Sequence, residues 1–143
     1  MKRIVFFMIF LCPMLTFAQV KASDVTGKWI TEEVKSVVEI YEKDGKYYGK
    51  IIWLKDPNGD DGLPKKDKEN PDPSLRKREI VGMVFMSGFI FNGKSWEGGT
   101  VYDPESGNTY SGNMKLRSAD VLDLRGYMGV SLLGRTATWY RKK

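Results

Sequence analysis

"TGKWITEE", residues 26–33, is the stretch that decides the fold. Gly27, Lys28 and Trp29 stand together at the head of the first extended segment, Gly27–Thr31. The segments that follow are short runs rich in Val, Ile, Tyr, Phe and Trp, separated by turn formers. Val37–Lys43 alternates Val38 and Ile40 with Glu39, Tyr41 and Lys43. Asp44-Gly45 is the strongest two-residue hairpin signal, because both turn positions need positive φ. Lys46–Leu54 comes next and is apolar on both faces at Ile51-Ile52-Trp53-Leu54. Glu79–Phe85 and Gly88–Asn92 read as two further strands parted by Met86-Ser87. Trp96–Tyr102, Asn108–Leu116, Val121–Tyr127 and Arg135–Arg141 complete the series.

No long 3.6-residue periodicity interrupts these strands. The expected fold class is therefore all-β, an antiparallel up-and-down barrel of about eight strands. A long meander must dispose of its two edges, and closure removes them. Glycines 49, 82, 88, 98, 99, 112 and 126 fall inside strand segments. They would weaken an open sheet, whereas a barrel uses them for bulges and coiling.

Upstream of Thr26 the chain has a different character. Met1-Lys2-Arg3 is a short positive start, Ile4–Cys12 is an apolar run, and Thr16-Phe17-Ala18 puts small residues at the −3 and −1 positions of a cut before Gln19. That is the layout of a signal peptide, and the run is shorter than the ~20 residues a spanning helix needs. Leu11 before Cys12 and Pro13 after it argue against lipidation. The expected organisation is a signal peptide at 1–18, a single domain at 19–143, and export to the periplasm or beyond. No later stretch is apolar enough to span a membrane.

Composition narrows the chemistry. The whole chain carries +5, and removal of Lys2 and Arg3 leaves 21 basic against 18 acidic residues, a charge suited to solubility and not to nucleic acid. Histidine is absent, and Cys12 is the sole cysteine. Ser-His-Asp and Cys-His catalysis are thereby excluded, as are imidazole and thiolate metal sites. Carboxylate pairs such as Asp103 with Glu105, or Asp60 with Asp61, leave a carboxylate hydrolase as the remaining enzyme class, but nothing supplies the required separation across a cleft. The expectation is no enzyme, no cofactor and no metal. Asp56–Gly62 tests poorly as a calcium loop: Asp61 stands where the turn needs Gly, and Asp67 where the last ligand should be Glu.

Gly27-Lys28-Trp29 resembles the Gly-X-Trp motif of lipocalin-like (calycin) barrels. That resemblance implies a Trp29 at the closed end with a basic side chain of the last strand, Arg135 or Arg141, packed across it. Longer blocks, "GKWITEE", "SVVEIYEKDGKYYGKIIWLKDP", "NPDPSLRKREIVG", "WEGGTVYDPESGNTYSG" and "LRGYMGVSLLGRTATWYR", are similar to the DUF2147 family of exported bacterial proteins. This implies a small exported β-rich domain. Glu33-Val34-Lys35 departs from the pattern, since a tighter Asp-Gly-like turn is expected before Ser36.

Two function classes follow. One is a binding module holding a small apolar or amphipathic ligand, with Trp53, Tyr110 and Trp139 pointing inward and Tyr127 near the mouth. The other is a structural or protein-interaction component of the envelope with a filled core. An eight-stranded barrel is compatible with either. The connection from Lys55 to Arg78 is long for so small a domain. Its Asn70–Arg76 part, with two prolines and Asp72 as a helix cap, reads as an ordered lid or plug.

Overall fold

The computed structural model describes residues 18–127 and 134–143, excluding the Tyr127 side chain. The signal-peptide reading of 1–18 and most of the Tyr127–Gly134 link fall outside the described residues. Eight strands close into one antiparallel barrel in chain order: β1 (Gly27–Ile30), β2 (Ser36–Lys43), β3 (Lys46–Leu54), β4 (Val84–Phe91), β5 (Trp96–Asp103), β6 (Asn108–Ser118), β7 (Val121–Tyr127) and β8 (Arg135–Arg141). Closure is made by β1 and β8, with Trp29 opposite Arg141 and Ile30 opposite Tyr140.

The two ends of the barrel differ. The tight turns at Asp44-Gly45, after Asn92 and after Ser118 lie at one end. A single 3₁₀ turn, Ala22–Val25, crosses beneath that end and is fixed by two indoles: Trp29 Nε1 donates to Val25 O at 2.8 Å and Trp96 Nε1 to Ala22 O at 3.1 Å. Arg141 clamps the same segment, donating to Asp24 O at 2.6 Å and Thr26 O at 2.9 Å. Gly27, at φ 121°, lets the chain turn upward there; a Cβ would sit 3.0 Å from an Arg141 nitrogen. This end is solid. Trp29, Val38, Ile40, Met86, Phe89, Trp96, Met114 and Leu122 are all essentially inaccessible. Burying each such side chain is worth about 1.5–3 kcal/mol.

Two strand glycines, Gly49 and Gly99, serve this packing. Gly99 lies against the Phe89 ring so closely that a Cβ would overlap it, and Gly49 meets Met86 in the same way. They admit large neighbours and do not open space.

Three expectations are corrected. Glu79–Phe85 and Gly88–Asn92 are not two strands: β4 runs unbroken through Met86-Ser87, and Glu79–Met83 belongs to the loop before it. Gly88, at φ 76°, accompanies the register shifts between β3 and β4, so a bulge and not a turn lies at Met86-Ser87-Gly88. Trp53 does not point inward. It is 44% exposed on the outer wall, because an extra residue in β3 between the Val37–Trp53 and Val38–Ile51 pairs resets the alternation. Arg135 does not close the barrel. It sits at the opposite end from Trp29, exposed, 3.6 Å from Glu32.

Candidate ligand-binding cavity

Above the packed half the side chains do not fill the barrel. A cavity of about 800 Å³ occupies the end where β3, β5 and β7 finish and β2, β4, β6 and β8 begin. Its floor is Trp139 and Phe85, with ring centroids 6.4 Å apart, beside Leu124 and Ala137. Its walls are Ile51, Leu54, Ile80 and Val101. Trp139 thus marks the boundary between filled and open halves, buried to 4% exposure yet facing the void. Tyr110 is half-buried on β6, on the same face as Gly112 and Met114, and its Cβ lies near Gly126. Tyr127 ends β7 opposite Ser111.

The rim is polar. Glu32, Glu33, Lys35 and Arg135 come from the β1–β2 connection and the start of β8, and Asp103 and Glu105 from the β5–β6 turn. Where an Asp-Gly-like turn is expected, Glu33 and Val34 both take left-handed backbone, φ 58° and 54°. The turn is held by Ser36 N–H donating to Thr31 Oγ1 at 3.0 Å and by Thr138 N–H donating to Glu32 Oε1 at 2.8 Å.

The long connection between β3 and β4 is an ordered lid. Asn58 bridges to Pro64 and Lys66 to Glu79, so it doubles back on itself. Asp72 caps the Pro73–Leu75 turn by accepting from Ser74 N–H at 2.9 Å, as its sequence predicts. The fastening to the barrel is a buried polar cluster around Asp67. That carboxylate is inaccessible and accepts from Tyr102 Oη at 2.5 Å, Asn70 Nδ2 at 2.8 Å and Arg78 Nε at 2.8 Å. Burial pushes the Asp67 carboxyl up, but the hydrogen bonds from Tyr102, Asn70 and Arg78 outweigh it and hold it below the usual Asp value. Burial and the bond to Asp67 raise the Tyr102 phenol to about 12.

Sequence reasoning passed over this cluster. In sequence Asp67 appears only at the last position of a poor calcium loop, and Arg78 and Tyr102 stand on different segments with nothing linking them. The near-continuous run of loop-ordering residues from Asn70 was the one available signal.

The closed base, the one-ended cavity and the antiparallel closure define a lipocalin-like β-barrel. The chain belongs to the DUF2147 family, described as "Uncharacterized protein conserved in bacteria", whose model matches residues 27–141. Among solved structures it is similar to protein HP1028 from Helicobacter pylori, described as belonging to the lipocalin family. The two are 35% identical over 82% of each chain, with a TM-score of 0.73. No curated protein matches.

Proposed function

We propose that this chain is an exported, non-enzymatic binding protein that holds one small apolar or amphipathic molecule in the upper half of the barrel. The observation that carries the reading is the cavity of about 800 Å³ with an apolar floor beneath a charged rim and a fastened lid. That volume lies in the range of small-molecule sites, and the mix of apolar lining with a few polar groups is what such sites use. Export is supported by the charged start, apolar run and Thr16-Phe17-Ala18 at the N-terminus.

A neutral naphthylamine dye tests the binding reading. Saturable one-to-one fluorescence enhancement is expected, and Ala137→Trp, which fills the floor, should abolish it with little change in melting temperature. Unsaturable or absent enhancement in the wild type would defeat the reading. The intact mass of exported protein tests the location, with Gln19 expected at the N-terminus; retention of 1–18, or lipid on Cys12, would refute it.

One observation favours the interaction part of the second class, although the cavity of about 800 Å³ is at odds with its filled core. Ile30, Val34, Val37, Trp53 and Tyr140 form an apolar strip on the outer wall across β8, β1, β2 and β3, bordered by Lys28 and Lys142. The strip is compatible with a carrier that docks to a partner.

A further inference from the structure

We infer that the molecule held in the cavity carries an anionic head group, and that Lys65 and Lys68 of the lid receive it. The inference rests on the cavity being a ligand site, and it adds the ligand's chemistry and polarity. The floor of Trp139, Phe85 and Leu124 offers no partner for a charge, and an unpaired charge is not buried there. Any charged end of the ligand must therefore sit at the rim.

Among the described residues the rim contains cations and carboxylates in equal number, but they are not equally free. On the barrel side both cations are spent on carboxylates. Glu33 pairs with Lys35 at 2.8 Å, and Glu32 takes both Arg135 at 3.6 Å and Thr138 N–H. Asp103 is occupied by its own turn, accepting from Glu105 N–H at 3.0 Å and Ser106 Oγ at 2.6 Å. Glu105 contributes to the field at Lys35. Asp61 accepts from Leu63 N–H at 3.0 Å.

The lid is different. Lys65, Lys66 and Lys68 fall within four positions and all border the cavity. Lys66 stands across from Glu79 in the lid's bridge. Lys65 and Lys68 have no ion-pair partner among the described residues, and every Asp and Glu of the chain lies within those residues. Asp67, between them in sequence, is consumed by Tyr102, Asn70 and Arg78 and does not neutralise its neighbours. The same cluster fixes their backbone: Asp67 N–H donates to Arg78 O and Ile80 N–H to Lys65 O, both at 3.0 Å. Two uncompensated ammonium groups are thus presented on an ordered platform over an apolar pocket, which suits a carboxylate, sulfate or phosphate ester on an aliphatic or aromatic body.

Displacement of the neutral dye by decanoate, decanol and decylamine tests this. Decanoate should bind about five- to tenfold tighter than decanol, the range a charge-assisted contact at a partly screened site supplies. Decylamine should be weakest, and the preference should shrink with added salt. In Lys65→Glu/Lys68→Glu, whose exposed side chains leave the core untouched, the decanoate preference should vanish while decanol is unchanged. Equal affinities, an amine preference, or a decanoate preference that survives the double reversal would each overturn the inference and leave the cavity reading intact. Failure of the dye and of all three alkyl probes would overturn the cavity reading instead.

Discussion

The guanidinium carbon of Arg141 lies 4.2 Å from the centre of the Trp29 ring. The last strand thereby locks onto the first, and the cation covers an indole that is itself fully buried. A cation over an indole contributes about 0.5–2 kcal/mol, depending on desolvation. Arg141 also holds three backbone carbonyls, those of Asp24, Thr26 and Ala119, so it fastens the N-terminal turn as well as the closure.

From this contact, Trp29→Ala is expected to cost about 3–5 kcal/mol, the range for removing a core aromatic. Arg141→Ala should cost about 1.5–3 kcal/mol, as hydrogen bonds from a charged donor are lost. The double variant should be less damaging than the sum, because the partners touch. Urea unfolding of the three proteins measures this; strict additivity would contradict the contact.

The lid cluster makes stability fall at both ends of the pH scale. Asp67 is depressed in the folded state, so its contribution is present above the unfolded value near 3.8 and is lost as pH falls through the folded value. Tyr102 is raised to about 12 from 10.0, so its contribution is complete below pH 10 and is lost as pH rises toward 12. Asp67→Asn should flatten the acid limb and Tyr102→Phe the alkaline limb. Each should also cost about 1–3 kcal/mol near neutrality by leaving buried polar groups short of partners. Melting curves from pH 2 to pH 12 read both effects, and unchanged limbs would show that the cluster is not coupled to folding.

Val34 is β-branched, 56% exposed, and left-handed at φ 54°. That conformation costs such a residue about 1–3 kcal/mol, and its exposed side chain returns little. Val34→Gly is therefore expected to raise stability by about 1 kcal/mol, net of the unfolded-state entropy that glycine adds. Loss of stability in denaturant titration would place Val34 in a contact that outweighs the strain.

Three tryptophans, Trp29, Trp96 and Trp139, are buried and Trp53 alone is exposed. Iodide should quench one fraction of the emission, and Trp53→Phe should remove that fraction. Quenching that persists in Trp53→Phe would contradict the outward placement of this side chain.

Calcium and chelators are expected to leave the melting temperature unchanged. Asp61 is turned back onto Leu63 N–H, and no group of three acidic side chains with metal-holding geometry occurs among the described residues. A bound metal would add about 2.7 kcal/mol at a hundredfold excess over Kd. A shift of several degrees with calcium would refute the expectation.

The alternation of Val38 and Ile40 with Glu39 and Tyr41, the Asp44-Gly45 hairpin and the Gly27-Lys28-Trp29 strand start were legible because they are local. Backbone conformation and the inside–outside period are written in neighbouring residues. The Asp72 cap was legible for the same reason. Trp53 was misplaced because one extra residue in β3 reverses every side chain beyond it, and a bulge is a property of two paired strands. Gly99 and Gly49 read as sites of bulges and coiling, but what they admit, the Phe89 ring and the Met86 side chain, is distant in sequence and not legible there. The sequence alone determined most of the strands, the lack of histidine for imidazole chemistry, and the residue that begins the barrel. Only the tertiary structure decided that Arg141 and not Arg135 closes it, that Asp67 fastens the lid to Tyr102, and that packing stops at Trp139. Each of these depends on which distant side chains meet once eight strands have taken one register, and residual volume is what remains after all of them have packed.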